Sequence, residues 1–560
     1  MCETSVIDRL FTIYLNIYRQ MKKNILLGMF LLVTTICVYA QEVEIPEAPE
    51  KYRRPEGYNP VAHRFKYSLT DLKNMYSEKM MQDAEKEYNR VMEVNATGKW
   101  KASGVSIDRH NAPDWFRDAK FGMFIDWGLW AVGGWAAKRS KESAMYPDWY
   151  EHALDFDKDA EKYHDKNWGE DFQRDDLIPF FKAQSYEPEK IVDIAIEAGM
   201  KYIIPFCKHH SGFCLWPSSY TFRDAGDMVG KDLVKPLVDN CRQKDLKFGF
   251  YFSTLEWEYP IIDQTGDMVY QEFGDKFKPY DPKLETWATG KIAVRDYVRD
   301  YSIPQAVEFI DRYDPDILWY DGEWTASFET QGTYDIAAYF YNQAEGRKEV
   351  AVNDRIGLSN NKSLRGYRGD IYTSEYGGFM PEGRKTGDYV WEENRGISQS
   401  FGFNWQDTDE NVISSKDFVD MFVDIVARGG NLLLIVNLDS QGALPEIQEK
   451  RLKDIGKWLK VNGEGIYNTR AYSTSSEGKV HYTRSKDNKT VYAISLEWPG
   501  KQLALKSVKP AKDSKIYLLG YDKPLAWSHK DGVTTISLPA NLQKADNRPC
   551  NFAYTFRIQQ

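Results

Sequence analysis

Cysteine is scarce. Six in 560 residues are too few for a disulfide framework, and two of them, Cys2 and Cys37, fall in a segment that reads as a leader. Blocks of Lys and Arg are missing as well. The balance is acidic, 73 Lys and Arg against 83 Asp and Glu, for a net charge of −10. That excludes a nucleic-acid backbone as the natural partner, since phosphates need cationic contacts. The apolar run Asn24–Val38 falls short of the roughly 20 residues a membrane-spanning helix needs. With 42% hydrophobic and 28% charged residues, the composition is that of a globular protein, not a disordered or collagen-like chain. The length suits a large catalytic domain with an appendage.

What is present begins with that apolar run. Met21-Lys22-Lys23 stands before it and Tyr39-Ala40-Gln41 after it. A cationic start, a short apolar stretch and a small residue at the cut describe a secretory signal over about 21–40, with Met21 as the expected start. The expected location is therefore periplasmic or extracellular. Thr35-Ile36 before Cys37 lacks the small residues of a lipoprotein site. Loss of residues 1–40 removes four cations and two acids, takes the net charge to −12, and leaves Cys207, Cys214, Cys241 and Cys550.

Residues 41–110 read as an extended, Pro- and Glu-rich arm followed by a polar amphipathic helix over Leu69–Glu93. From 111 to 465, short β-branched and aromatic runs alternate with helical patterns. The runs are Phe121–Asp126, Tyr202–Cys207, Lys247–Phe252, Ile317–Asp321, Val350–Asp354, Asp370–Glu375, Ser398–Phe403 and Asn431–Asn437. Helical spacing marks Pro188–Ala198, Asp232–Lys244, Val294–Tyr313 and Lys416–Arg428, and a last helix, Leu444–Val461, stops at Asn462-Gly463. Eight strands alternating with helices predict an α/β fold, a (β/α)8-like TIM barrel. Over 466–560 only short alternating strands follow: Lys479–Arg484, Thr490–Leu496, Lys515–Leu519 and Thr534–Leu538. That texture predicts a C-terminal antiparallel β-sandwich.

In such a barrel, functional groups come from the C-terminal ends of the strands. Here those ends read Asp126-Trp127-Gly128, Lys208-His209-His210, Tyr251 with Glu256-Trp257, Trp319-Tyr320-Asp321-Gly322, Asn353-Asp354-Arg355, Ser374-Glu375-Tyr376, Phe401-Gly402-Phe403-Asn404-Trp405 and Asn437. Carboxylates among aromatic rings suit glycosidic cleavage: two carboxyls do the acid and nucleophile work while ring faces hold the sugar. The 17 Trp, 36 Tyr and 28 Phe fit a ligand with a flat apolar face. Cys207, His209, His210 and Cys214 match no common zinc spacing, so neither metal nor cofactor is expected.

From Trp115 to about Phe556 the sequence resembles glycoside hydrolase family 29, the α-L-fucosidases. The resemblance is carried by Ala119-Lys120-Phe121-Gly122-Met123-Phe124-Ile125-Asp126-Trp127-Gly128, Asp148-Trp149-Tyr150, Ala198-Gly199-Met200-Lys201-Tyr202, Lys208-His209-His210 through Leu215-Trp216-Pro217, Phe248–Ser253 and Leu318-Trp319-Tyr320-Asp321-Gly322. It implies the barrel-plus-sandwich fold and an exo-acting retaining α-L-fucosidase working on a fucosylated oligosaccharide or glycoconjugate. Asp321 matches the nucleophile. Glu375 is the expected acid/base, with Glu392 as its rival. His209, His210 and Arg355 match sugar ligands, and Asp126, Trp127, Asp148, Trp149, Tyr251, Trp319 and Phe401 are expected around the sugar. Two positions depart from the family: Asp126 replaces a His that bonds the sugar, and Asp148 replaces a Glu. An ionised aspartate accepts but cannot donate, which leaves open a glycosidase for a related sugar such as α-L-galactose. A catalytically silent glycan-binding protein is the alternative of a different class.

Overall fold

The computed structural model describes residues 43–63, 74, 80–138, 145–257, 259–262, 264–266, 268–271 (backbone only), 290–324, 326–359, 362–363, 368–377 and 389–560. The predicted leader lies outside the described residues. So do residues 69–73 and 75–79 of the predicted polar helix, which continues as α1, Met81–Thr97.

Eight parallel strands form the main sheet. They are β1 Phe121–Asp126, β2 Tyr202–Lys208, β3 Lys247–Ser253, β4 Ile317–Asp321, β5 Ala351–Val352, β6 Tyr372–Glu375, β7 Trp391–Gly396 and β8 Asn431–Asn437. Their order is β6-β7-β8-β1-β2-β3-β4-β5. A parallel bridge between Asn353 and Ile371 joins the two outer strands and closes the ring. Runs such as Phe-Gly-Met-Phe-Ile-Asp and Asn-Leu-Leu-Leu-Ile-Val-Asn are buried along their whole length. A parallel strand packed on both faces requires that texture. Outside the ring lie α2 Pro188–Ala198, α3 Lys235–Gln243, α4 Ile303–Tyr313, α5 Thr333–Ala344, α6 Ser415–Ala427 and α7 Glu446–Asn462. The start of α2 at Pro188 and its stop at Gly199, φ 92°, follow the usual punctuation of a helix.

The seventh strand is a correction. Ser398–Phe403 is a bent loop, and the strand is Trp391–Gly396, in register with β6 and β8. Trp-Glu-Glu-Asn-Arg-Gly does not read as a buried strand, yet Glu392, Glu393 and Asn394 are all buried. The chain then folds back over the strand end: a Cβ on Gly396 would lie 2.5 Å from the Ser400 carbonyl oxygen.

After α7 come β9 Thr469–Glu477, β10 Val480–Ser485, β11 Thr490–Ser495, β12 Gln502–Leu505, β13 Tyr517–Leu518, β14 Ala526–Lys530, β15 Val533–Ser537 and β16 Tyr554–Gln559. They form two antiparallel sheets, β9-β10-β11-β16-β13 and β12-β15-β14. Tyr482, Val491, Leu505, Ile536 and Phe556 belong to the separate core of this sandwich. The Trp458 indole of α7 donates to the Ala553 carbonyl at 2.9 Å and ties it to the barrel. Cys207, Cys214, Cys241 and Cys550 are all free thiols.

Where α7 crosses α2, a Cβ on Gly456 would lie 2.0 Å from the Glu197 carbonyl oxygen, a backbone atom that cannot swing aside. Gly456→Ala is therefore expected to destabilise the protein by about 1–3 kcal/mol, seen as a lower urea midpoint. An unchanged midpoint would mean that the two helices separate at no cost.

Candidate active site

Asp321 is the last residue of β4, and its two oxygens are held from opposite sides. The Tyr251 hydroxyl, from β3, donates to Oδ2 at 2.6 Å. Arg355, just beyond β5, donates from Nη1 to Oδ1 at 2.8 Å. The other guanidinium nitrogen, Nη2, bonds Glu375 at the end of β6. Nε reaches Thr373 Oγ1 at 3.2 Å, and the guanidinium lies 4.6 Å above the Trp319 ring. Strands β4, β5 and β6 are neighbours, so one cation bridges carboxylates from the two strands that flank its own.

His210 Nε2 stands 3.7 Å from Asp321 Oδ2. Its Nδ1 is 2.6 Å from Ser253 Oγ, whose own proton goes to the Leu255 carbonyl. Nδ1 must then be the donor. Burial pushes His210 down to about 3, so near neutral pH the ring is uncharged and Nε2 is left as an acceptor. His209, also driven down by burial, points Nε2 toward Asp148 Oδ2 at 3.6 Å. Behind both histidines, Lys208 Nζ pairs with Glu256 Oε1 at 3.0 Å and Lys291 Nζ with Oε2 at 3.3 Å. The Tyr301 hydroxyl adds a bond of 2.5 Å to Oε1. This buried cluster pins the strand end that carries the histidines, and nothing in the local sequence announces it.

These groups surround a cavity of about 540 Å³. Asp148, Trp149, His209, His210, Tyr251, Trp319, Asp321, Arg355, Glu375 and Phe401 all line it. So do Tyr146, Phe156, Trp324 and Asn394, which the strand-end reading does not pick out. Ligand atoms of His209, His210 and Asp321 lie within 4.8 Å of one another, close enough to converge on one ion. Cys207 and Cys214 do not join them: both are buried, donating to the carbonyls of Pro205 and Gly212.

Residues 88–464 match the family model for alpha-L-fucosidase, and residues 473–559 match the alpha-L-fucosidase C-terminal domain. An alpha-L-fucosidase of Branchiostoma floridae is 30% identical, covering 81% of this chain and 94% of its own. Human tissue alpha-L-fucosidase is also 30% identical, over 81% of this chain and 90% of its own. The solved alpha-fucosidase of Thermotoga maritima in complex with a mechanism-based inhibitor superposes with a TM-score of 0.67 at 29% identity. That match covers 82% of this chain and 100% of the Thermotoga chain. The chain belongs to the alpha-L-fucosidase family.

Within this member of the alpha-L-fucosidase family, three expected site residues stand elsewhere. Trp127 faces away from the cavity: it packs on Phe181 and Tyr186 and donates to the Asp439 carbonyl at 2.8 Å. Asp126 is fully buried behind the wall, where Oδ2 accepts from the Gly402 N–H at 2.8 Å. Glu392 sits inside the barrel beneath Trp319. It accepts from the Tyr202 hydroxyl at 2.5 Å and the Trp319 indole at 3.2 Å, and burial raises it to about 7. Of the two glutamates, only Glu375 lines the cavity.

Burial pushes Asp126 up to about 8, and Asp148 rises well above the usual carboxylate range through burial and the charge of Asp126. Folding thus raises the Asp126 pKa from 3.8, so the folded chain holds a proton that the unfolded chain releases. Its contribution to stability is present below about pH 4 and is lost as pH rises toward 8. Asp126→Asn keeps the acceptor for Gly402 without a titrating proton. It should gain on the wild type by about 1 kcal/mol or more between pH 5 and pH 8.5, read as a widening gap in thermal midpoints. A gap that does not change with pH would mean that Asp126 is not protonated in the fold.

Proposed function

We propose that the protein is an exo-acting retaining α-L-fucosidase that releases terminal α-L-fucose from oligosaccharides or glycoconjugates. The observation that carries this reading is the pair Asp321 and Glu375, presented from β4 and β6 on one cavity floor and joined by Arg355. Asp321 attacks the anomeric carbon while Glu375 gives its proton to the glycosidic oxygen, and the leaving alcohol departs. Glu375, now a carboxylate, then takes a proton from water; the hydroxide attacks the same carbon, the ester to Asp321 breaks, and configuration is retained. Tyr251 and Arg355 hold the two oxygens of Asp321 and keep it aimed. To act as the acid, Glu375 has to turn from Arg355 toward the glycosidic oxygen. Its side chain is 29% exposed at the cavity wall, which leaves it room to turn. His210 Nε2, an acceptor, suits a sugar hydroxyl.

The N-terminal run after Met21-Lys22-Lys23 supports export to the periplasm or beyond. Among the described residues no helix is long and apolar enough to cross a membrane. The α-L-galactosidase alternative draws on Asp126, which does not reach the cavity wall, so fucose is the better fit.

With an aryl α-L-fucoside, Asp321→Gly should lose about a thousandfold or more in kcat, and azide should restore turnover as the β-L-fucosyl azide. Glu375→Ala should slow poor leaving groups by about 10²–10⁴-fold, with azide giving the α-L-fucosyl azide. Full activity in Glu375→Ala, with no azide adduct, would return the acid/base role to Glu392.

A further inference from the structure

The net charge conceals a division. Residues 466–560 hold 15 Lys and Arg against 7 Asp and Glu, so the sandwich carries +8. The whole chain carries −10, which leaves −18 on residues 1–465. An anion repelled by the barrel is drawn to the sandwich. Where the two domains meet, at the N-terminal ends of β7 and β8, lies a second cavity of about 380 Å³. It is at the end of the barrel opposite the catalytic floor and shares no lining residue with the catalytic cavity. Four cations line it: Arg117 and Lys120 from the barrel, Arg470 from β9 and Arg484 from β10.

Lys120 is the most constrained of them. It ends the short helix Asp114–Ala119 at φ 59°, a left-handed position that Gly or Asn usually fills, so the turn itself does not call for a lysine. The residue is 1% exposed, and among the described residues nothing accepts a hydrogen bond from its ammonium. Burial, with Arg470, Arg117 and Lys486 nearby and only Asp118 opposing them, pulls it down to about 7. A buried amine in that position is short of negative charge. The described acids beside it are engaged elsewhere. Asp118 accepts from Arg470 Nη1 at 2.7 Å and pairs with Lys486, and Asp114 accepts from Arg470 Nη2 at 3.2 Å. Arg484 donates to the carbonyls of Ala471 at 3.0 Å and Ser485 at 3.2 Å, and to no described carboxylate.

The geometry points to this junction cavity as a binding site for a tetrahedral oxyanion, sulfate or phosphate, held by Lys120 and Arg484 with Arg117 and Arg470 beside them. A free ion and a sulfate ester on a sugar share that chemistry, and the cavity has room for either. The cations come from both domains, so a bound anion fastens the sandwich to the barrel and stabilises the folded chain.

The test is calorimetric titration of the full chain with sodium sulfate, inorganic phosphate and N-acetylglucosamine 6-sulfate at fixed ionic strength, with sodium chloride as control. Heat of binding is the readout, so the outcome does not depend on which sugar the catalytic site takes. One saturable site is expected, and whichever form binds more tightly identifies the source of the anion. Lys120→Met and Arg484→Gln should each weaken binding about tenfold or more. Arg484 is half-buried, so its variant tests the site even if Lys120→Met does not fold. An anion favours the charged lysine, and sulfate keeps its own charge, so the wild type should bind sulfate about tenfold more tightly at pH 6 than at pH 8.5. Arg484→Gln should keep that pH dependence and Lys120→Met should lose it. No saturable binding of any of the three anions, or affinities in Arg484→Gln within about twofold of wild type, would overturn the site.

Discussion

Arg355 stands between two carboxylates with one nitrogen for each, and most of the site can be read as a means of keeping it there. A guanidinium that is 3% exposed is stable only if its charge is answered and its donors are used. Asp321 and Glu375 answer the charge, Thr373 takes Nε, and the Trp319 face covers the plane. The barrel makes this possible. Asp321, Arg355 and Glu375 come from three consecutive strands, so the order of the ring, not any local motif, sets how far apart the two acids can be. Lysine could not replace the arginine, since a point charge lacks the fork that holds two acids in one plane.

Other buried charges serve the same floor at a cost in stability. Lys208, Glu256 and Lys291 are withdrawn from water beneath the loop that carries the histidines. Glu256 holds its charge there, below the usual glutamate range despite burial, because two ammonium groups and a tyrosine hydroxyl converge on it. Well-packed apolar residues would hold the loop as firmly. What the ionic cluster adds is direction. Glu256 lies against Gly212, and Trp257 N–H bonds the His210 carbonyl at 2.8 Å, so the turn after β2 and the start of the loop after β3 are fixed to each other.

Much of the fold was legible in the sequence because parallel strands buried on both faces must be apolar, and Phe121–Asp126, Ile317–Asp321 and Asn431–Asn437 are. The seventh strand was not, because its burial is made acceptable by partners far away in the chain. Glu392 looks like a surface residue until Tyr202 and Trp319 are placed beside it. Asp148, Trp149, His209, His210, Tyr251, Trp319, Asp321, Arg355, Glu375 and Phe401, expected from motifs and strand ends, line the cavity. The strand ends misplaced Trp127, because one residue beyond the strand the chain has turned and period-two alternation no longer says which way a side chain faces. Tyr146 and Trp324 lie on loops with no periodicity, and only their exposure beside the cavity singles them out.

Burial shifts the ionisable groups in and around the site in opposite directions. Histidine is ordinarily the side chain that changes charge between pH 5 and 8. Here burial drives His209 and His210 far below that window, so their hydrogen-bonding pattern toward a sugar is constant across it. Of the carboxyls that burial raises, Glu392 at about 7 and Asp126 at about 8 lie outside the cavity wall, whereas Asp148, also raised, lines it. Glu392 and Asp126 respond to pH through the packing of β7 and the loop at Gly402, not by contact with substrate. The two histidines can thus keep one pattern of hydrogen bonding toward hydroxyls while the stability of the surrounding barrel varies with pH.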